Sequence, residues 1–193
     1  MIDRIKRDAE CYLSESRYNH TLGVMNEAIR LAERYGEDRE KAAVAALLHD
    51  LGKSKRIYEL LKLDCSSDII LEENLKKNGA LYHAVASRMV AERRYSISDS
   101  DILNAVRYHT TGRPNMTNLE KIVYLADYIE PGRDFPGVEE MRKISYEDLD
   151  RAMLCALENT IVHVVSNGQI LHEDTVRSRN YILARLTKLG VKK

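Results

Sequence analysis

Proline is confined to three positions of this chain, and this distribution most strongly limits the fold. The three are Pro114, Pro131 and Pro136, so everything before residue 114 is free of proline. Because proline breaks helices, a long stretch without it permits nearly continuous helix. Apolar residues recur in this stretch at steps of three or four, as at Leu22 and Met25, a pattern typical of helix faces. The sequence therefore predicts an all-α protein.

Glycines and polar residues divide the chain into predicted helices. A helix over 18–35 ends at Gly36, and the next, which contains the apolar run AAVAALL, ends at Gly52. Further helices are predicted at about 55–63, 67–77, 79–94, 98–109, 117–130, 146–165 and 174–189. Asp174 or Thr175 is the expected N-cap of the last one. No strand pattern or linker is evident, so we expect a compact multi-helix bundle of roughly eight to ten helices.

Length and charge narrow the class of protein. The 193 residues fit one domain over 1–193, with a core at about 16–130 and C-terminal helices at 146–190 that complete the pocket. Thirty basic and thirty acidic residues balance, which argues against a nucleic-acid polymer or a membrane surface as partner. No signal peptide or spanning segment is evident, so we expect a cytoplasmic protein. Three cysteines in no CxxC pattern are expected to be reduced.

Histidines and aspartates lie in apolar or aromatic surroundings along the predicted helices. His49 and Asp50 close the most apolar helix, where a buried carboxylate is costly unless a cation compensates its charge. The same placement is shared by His20, His83, His109 and Asp127. One such residue is more often a hydrogen-bonded core residue, but a set of six favours a metal site. Mixed imidazole and carboxylate ligands suit divalent iron, manganese, zinc, nickel or cobalt.

The order of these residues along the chain resembles a known family signature. His20, the His49-Asp50 pair and Asp127 resemble the H…HD…D pattern of the HD phosphohydrolase superfamily. The resemblance extends, over nearly the whole chain, to the YqeK family through YNHTLGV, LLHDLGK, LYHAVAS, RYHTTGRPNMTNLEKIVYLADYIEPGRDFPGV and LHEDTVRSRNYIL. It implies an HD-domain helical bundle that hydrolyses dinucleoside tetraphosphates symmetrically, so that diadenosine tetraphosphate and water give two ADP.

The resemblance also implies a metal centre and a mechanism. Two ions, expected to be iron, would be held by His20, His49, Asp50, His83, His109 and Asp127, with Asp50 bridging them. Manganese, nickel, cobalt or zinc would suit the same ligands. The metals would make a bound water acidic, and the resulting hydroxide would attack a central phosphorus. Asp50 and Lys53 are the expected catalytic residues.

Substrate contacts are predicted around the metal ligands and at the C-terminal turn. Lys53 and Arg133 suit phosphate groups, and Arg113 is a weaker candidate. The remaining predicted substrate-binding residues are Leu51, Gly52, Thr110, Ile170, Leu171, His172, Glu173, Asp174 and Thr175. For His172 an exposed turn residue is an equally good interpretation, and His163 is expected in the core or an interface.

Two other classes of function stay open at this point. Another HD enzyme, such as a deoxynucleoside monophosphate phosphatase or a cyclic-nucleotide phosphodiesterase, would use the same metal chemistry. A helical module that binds a nucleotide as a sensor is the non-enzymatic alternative, although a pure binder does not need a metal with an open position. The sequence leaves the oligomeric state open, a homodimer included.

Overall fold

The computed structural model describes residues 1–57, 68–188 and 190, and the side chains of 68–80 lie outside this description. Besides helical residues 55–57, the helices within the described residues are α1 (Ile2–Tyr12), α2 (Glu15–Tyr35), α3 (Arg39–Leu48), α4 (Asp68–Tyr95), α5 (Ser100–Tyr108), α6 (Asn118–Ile129), α7 (Val138–Glu147), α8 (Leu149–Ser166) and α9 (Glu173–Lys188). A 3₁₀ turn, Leu51–Lys53, follows α3. No strand occurs in these described ranges, and the all-α prediction is confirmed.

Helix α3 lies at the centre of the bundle. Its residues from Ala42 to Leu48 are all buried, because α1, α2, α4, α5 and α6 pack around it. The Asp38 carboxylate begins the helix by accepting hydrogen bonds from the Glu40 and Lys41 backbone N–H groups at 2.8 and 3.0 Å. The small and apolar side chains of α3 let neighbouring helices approach closely. Because His49 and Asp50 follow this buried helix directly, they lie in the interior.

Helix α6 is the second central element. It packs against α2, α3 and α5 on one side and against α7 and α8 on the other. Leu119, Ile122 and Leu125 are buried along it, and so is Ala126. Thr117 caps its first turn through a hydrogen bond from the Glu120 N–H. Its last turn therefore enters the same interior region as the end of α3.

Several predicted helix boundaries are wrong. The helices predicted at 67–77 and 79–94 form the single helix α4, because one interior glycine, Gly79, costs only about 1 kcal/mol relative to alanine. Helix α3 ends at Leu48, before Gly52, and Gly52 lies in the 3₁₀ turn. Helix α9 begins at Glu173, so the predicted N-caps lie inside its first turn.

Two helices, α1 and α7, were not predicted. Helix α7 follows the loop with Pro136 directly, in a segment whose apolar stripe is short and interrupted by charged residues. Helix α8 accordingly begins at Leu149 rather than near residue 146. Of the predicted helix 55–63, residues 55–57 are helical and the rest lies outside the described residues.

None of the described helices combines the length and apolar character needed to cross a membrane. The expected cytoplasmic location stays a prediction, as does the single-domain boundary.

Candidate metal centre

Five helices bring the six predicted ligands together. His20 lies on α2, His83 on α4 and Asp127 on α6, while His49-Asp50 and His109 directly follow the ends of α3 and α5. Three overlapping groups have ligand atoms within 4.8 Å of one another, namely His20–His49–Asp50, His49–His109–Asp127 and Asp50–His83–His109. The predicted residues therefore form one cluster, and their role as metal ligands stays a prediction.

The Asp50 carboxylate lies at the centre of this cluster and faces two sets of histidines. Its Oδ2 lies 3.5 Å from His49 Nε2 and 3.9 Å from His20 Nε2. Its Oδ1 lies 3.4 Å from His83 Nε2 and 3.7 Å from His109 Nε2. The two oxygens of Asp50 thus face two adjacent groups of donor atoms.

Backbone carbonyls fix the orientation of two histidine rings. His49 Nδ1 lies 2.6 Å from the Ala46 carbonyl oxygen, and His109 Nδ1 lies 2.8 Å from the Val106 carbonyl oxygen. Carbonyl groups in the last turn of a helix lack helical partners, so a histidine just beyond the helix can donate to them. A carbonyl only accepts, so in each ring Nδ1 donates and Nε2 is the nitrogen that faces Asp50.

A buried carboxylate, Glu130, orients His20. His20 Nδ1 lies 3.0 Å from Glu130 Oε1, and the Gly132 backbone N–H donates to Glu130 Oε2 at 2.6 Å. Gly23 makes this possible, because a Cβ there would lie 2.6 Å from Glu130 Oε2. A carboxylate behind a ligating histidine is typical of metal sites. Sequence reasoning missed Glu130, although it follows Asp127 by three residues at the end of the same helix.

The donor atoms fit a divalent cation. His49 Nε2 is buried and has no hydrogen-bond partner among the described residues. His20 Nε2 lies 3.0 Å from Asp127 Oδ1, and two further ring nitrogens, His83 Nε2 and His109 Nε2, are 3.1 Å apart. When the imidazoles are neutral and the carboxylates ionised, these nitrogens and oxygens all offer lone pairs, and a cation between them would convert their repulsion into coordination.

Three cationic side chains border the cluster. Lys53 Nζ lies 2.8 and 2.9 Å from the two Asp50 oxygens, and Arg17 Nη1 lies 2.9 Å from Asp50 Oδ2. Arg133 Nη2 contacts Asp127 Oδ1 at 2.5 Å. Sequence reasoning missed Arg17, which precedes His20 by three residues and therefore shares its helix face. Lysine and arginine beside a metal centre suit an anionic substrate such as a phosphate.

Burial and charge set the protonation states. Burial opposes the charged form of Asp50, but His49, His109 and Lys53 hold the pKa of its carboxyl well below the ordinary value. Burial lowers the pKa of His83 to about 3, with further lowering from His109 and Lys53. Burial also disfavours protonated His49, yet the Asp50 and Asp127 carboxylates raise its pKa overall. An ionised Asp50 and a neutral His83 are the forms that bind metal.

The other predicted substrate contacts near the cluster differ in accessibility. Thr110 Oγ1 is buried and has no hydrogen-bond partner in the described part of the chain. Leu51 is fully buried, so its side chain belongs to the core and only its backbone can reach a ligand. The Gly52 N–H donates to Ser87 Oγ at 2.8 Å. Arg113 forms an ion pair at 2.6 Å with buried Glu120, which gives it a structural role.

The predicted C-terminal turn lies at the start of α9. Two of its residues, Ile170 and Glu173, are exposed, and Thr175 is buried. The other three are half-buried, namely Leu171, His172 and Asp174. Ser178 Oγ, one turn further along α9, contacts Met116 Sδ at 3.7 Å, in the segment that follows His109. The turn's role in nucleotide binding stays a prediction. His163 is exposed, so it does not lie in the core, and the alternative that it lies in an interface stays a prediction.

Comparisons with known proteins identify the class that this fold and cluster define. The HD domain family model matches residues 17–132, a range that contains all six clustered residues. A protein from Bacillus subtilis (strain 168) named symmetrical bis(5'-nucleosyl)-tetraphosphatase is 44% identical over 172 residues, which cover 89% of this chain and 92% of that protein. A protein of the same name from Staphylococcus aureus (strain NCTC 8325 / PS 47) is 34% identical over 186 residues, or 93% of each chain.

A solved structure agrees with these sequence relatives. The crystal structure of a predicted HD superfamily hydrolase involved in NAD metabolism from Clostridium acetobutylicum is 44% identical, with a TM-score of 0.85. The similarity covers 96% of this chain and 98% of that one. The chain therefore belongs to the HD domain family and, within it, to the YqeK-type family of symmetrical bis(5'-nucleosyl)-tetraphosphatases.

Proposed function

We propose that this protein is a metal-dependent hydrolase that splits dinucleoside tetraphosphates at the centre, so that diadenosine tetraphosphate and water yield two ADP. The observation that carries the proposal is the cluster around Asp50, with its two groups of donor atoms and its border of cations. A tetraphosphate chain is strongly anionic, and those cations are suited to it. The full-length relatives named for this reaction support the same substrate.

We propose that the cluster holds two ions, with iron as the resident metal. His20, His49 and Asp127 would hold one ion together with Asp50 Oδ2, while His83 and His109 would hold the other together with Asp50 Oδ1. When bound, such ions lower the pKa of a coordinated water and offset charge on phosphoryl oxygens. Manganese, nickel, cobalt and zinc also suit this donor set.

The other residues around the cluster would bind the phosphate chain and the nucleotide of the substrate. The Lys53 ammonium, on a flexible stem beside Asp50, can turn from that carboxylate to a phosphoryl oxygen. Arg17 and Arg133 bind neighbouring phosphates from two sides of the cluster. Thr110 offers a hydroxyl whose oxygen is otherwise unpartnered in the described part of the chain. Residues Ile170–Thr175 contact a nucleotide at the start of α9.

Product analysis tests this proposal directly. Purified protein with its metal content measured is incubated with diadenosine tetraphosphate, and the nucleotides are separated by ion-exchange chromatography. We expect ADP as the sole product, and we expect its formation to stop on chelation and resume when metal is restored. Arg151→Ala, at an exposed position of α8, is the matched control for Arg133→Ala. Only Arg133→Ala should weaken substrate binding.

The other outcomes identify the alternatives. AMP together with ATP would mean that a different phosphorus is attacked, which contradicts symmetrical cleavage. Cleavage of a nucleoside monophosphate or a cyclic nucleotide, with diadenosine tetraphosphate left intact, would assign the chain to another HD enzyme class. Saturable nucleotide binding without any product would indicate a sensor.

A further inference from the structure

Helix α6 ends just before a proline, and this leaves carbonyl groups of its last turn without helical partners. Within a helix the Asp127 carbonyl would accept from the N–H four residues later, but Pro131 has no N–H. The N–H four residues after Ile129 belongs to Arg133, and it donates to the Glu130 carbonyl instead, at 2.9 Å. The carbonyls of Asp127 and Ile129 therefore need donors from outside the helix.

Arg133 supplies the donor for the first of these carbonyls. Its Nε donates to the Asp127 carbonyl oxygen at 2.8 Å, and its Nη2 contacts Asp127 Oδ1 at 2.5 Å. The same side chain lines a cavity of about 340 Å³ between α6 and α8, which adjoins the cluster and belongs to the proposed substrate site. The place of the guanidinium in that site depends on the backbone of the turn 130–133, from which its side chain extends.

A second arginine, Arg142 of α7, supplies donors for the rest of the turn. Its Nε donates to the Ile129 carbonyl oxygen at 2.9 Å. Its Nη2 donates to the Glu130 and Arg133 carbonyl oxygens at 3.0 and 2.9 Å. One planar guanidinium thereby connects three carbonyls that lie on both sides of Pro131. Its positive charge is also favourable at the C-terminus of α6.

Helix α7 is itself attached to α2, the helix that carries His20. The Tyr146 hydroxyl donates to the buried Glu27 carboxylate at 2.7 Å. The Tyr35 hydroxyl donates to the Ser145 carbonyl oxygen at 2.8 Å. These contacts hold the last turn of α7 on α2. The turn 130–133 is thus hydrogen-bonded to a helix that is fixed in the bundle.

We propose that Arg142 is a positioning residue for hydrolysis, which fixes the turn 130–133 and so holds the Arg133 guanidinium where a substrate phosphate binds. Among the described residues that line the cavity, Arg142 does not occur, so its effect on the substrate passes through the turn. The inference rests on the proposed function, which assigns a substrate phosphate to Arg133.

A double-mutant cycle tests this role. KM for diadenosine tetraphosphate is measured for wild type, Arg142→Ala, Arg133→Ala and the double variant, at equal metal content. We expect each single variant to raise KM about tenfold, as the loss of one charge-assisted hydrogen bond to phosphate predicts. The double variant should lose no more than Arg133→Ala alone, because Arg142 acts through Arg133. An arginine with a merely structural role would give losses that multiply.

Arg142→Lys separates geometry from charge. An ammonium keeps the positive charge but cannot span three carbonyls, so KM should still rise by roughly fivefold. A wild-type KM in this variant would overturn the proposal, because charge alone would then suffice. Circular dichroism and the Tm establish that each variant is folded.

Two variants of α7 are the controls. Lys143→Ala removes a positive charge at the exposed position next to Arg142. Glu139→Ala removes the ion pair of Glu139 with Arg142 and leaves the carbonyl contacts in place. Both should keep KM within about twofold of wild type, as is usual for exposed positions.

The outcomes distinguish this inference from the proposed function. Losses that multiply in the double variant, or a wild-type KM in Arg142→Ala, would overturn the positioning role alone if the wild type forms ADP. A wild type that forms no ADP would refute the proposed function. The Kd of ADP, measured by calorimetry on the metal-loaded proteins, then replaces KM in the same cycle. A Kd that Arg142→Ala leaves unchanged, or absence of ADP binding by the wild type, would overturn the inference as well.

Discussion

At the scale of single residues, Asp50 contributes most to the candidate site. It is fully buried, contacts four histidine rings within 3.9 Å and accepts from two cationic side chains. Both groups of donor atoms depend on its two oxygens. Asp50 belongs to two of the three groups of close donor atoms, and between them these two groups include all four histidines.

Asp50→Ala is therefore expected to abolish hydrolysis while the helical fold is retained. The variant lacks the shared carboxylate, so bound metal should fall together with activity. Elemental analysis, product formation and circular dichroism measure the three effects. Asp134→Ala, at an exposed loop position, is the control and should match wild type in all three. Full activity of a metal-free Asp50→Ala protein would contradict the mechanism.

Gly23 provides a second test at this scale, directed at the orientation of His20. Replacing an interior helix glycine by alanine normally stabilises a helix by about 1 kcal/mol. Here the added Cβ would lie 2.6 Å from Glu130 Oε2 and displace the carboxylate that orients His20. We expect Gly23→Ala to weaken metal binding by roughly 10- to 100-fold, measured by calorimetric titration of the chelator-treated protein with Mn²⁺.

The matched control for Gly23→Ala uses a Glu130→Ala background. With the carboxylate gone, the added methyl group has no partner to displace, and the affinity for Mn²⁺ should not fall further. Equal losses in both backgrounds would mean that the methyl group acts elsewhere, and Glu130 would then have no orienting role.

At the scale of secondary-structure elements, the ends of helices α3 and α5 position two histidines of the cluster. Helices α3 and α5 each end one residue before a histidine, and the unpaired carbonyls of Ala46 and Val106 orient the rings. The 3₁₀ turn after α3 then packs directly on α4, which supplies His83. Packing between the turn and α4 thus sets the distance between His83 and Asp50.

Gly52→Ala tests this packing. A Cβ at residue 52 would collide with the His83 carbonyl oxygen and lie 2.7 Å from Ser87 N, and backbone atoms cannot rotate away. Overpacking of this kind costs about 1–3 kcal/mol, which corresponds to a lower Tm by roughly 2–10 °C in a thermal melt. Because α4 is pushed outward, the variant should also bind less metal.

Gly36→Ala is the control for this effect. Gly36 has a φ of +70° and open space around its Cβ position, so alanine there adds backbone strain without a collision. Its Tm should fall, but its metal stoichiometry should equal that of wild type. A Gly52→Ala protein with full metal content would contradict the packing argument.

At the scale of the whole molecule, metal binding and folding are coupled. The six clustered residues come from α2, α3, α4, α5 and α6 or from the residues that follow them, so a bound ion connects five helices. A ligand that binds only the folded state stabilises it, by about 2.7 kcal/mol at a hundredfold excess over Kd. The free energy of unfolding should therefore depend on metal.

Chelation is accordingly expected to lower the Tm by roughly 5–10 °C for a chain of this size. Calorimetry with and without chelator measures the change, and added metal should reverse it. In Asp50→Ala the chelator should have no effect, since the cluster has lost its shared carboxylate. A chelator effect of equal size in that variant would indicate stabilisation by metal at some other site.

Sequence reasoning succeeded where the cause is local. Helicity follows from apolar periodicity and from the absence of proline before Pro114, and both can be read within a few residues. The end of α2 at Gly36 follows from its left-handed backbone. The six clustered residues were also predicted, because charged and imidazole groups in apolar helices need a partner.

Only the tertiary structure decided how those residues meet. Glu130 reaches His20 across 110 positions of sequence, and Arg17 reaches Asp50 across 33, so neither contact has a local signal. The cavity between α6 and α8, and the division of the Asp50 oxygens between two pairs of histidines, also depend on helix packing. The sequence by itself determined which elements form and which residues require a cation, because those properties arise within a helix. The geometry of the site was decided by packing, because distances between helices depend on side chains far apart in the chain.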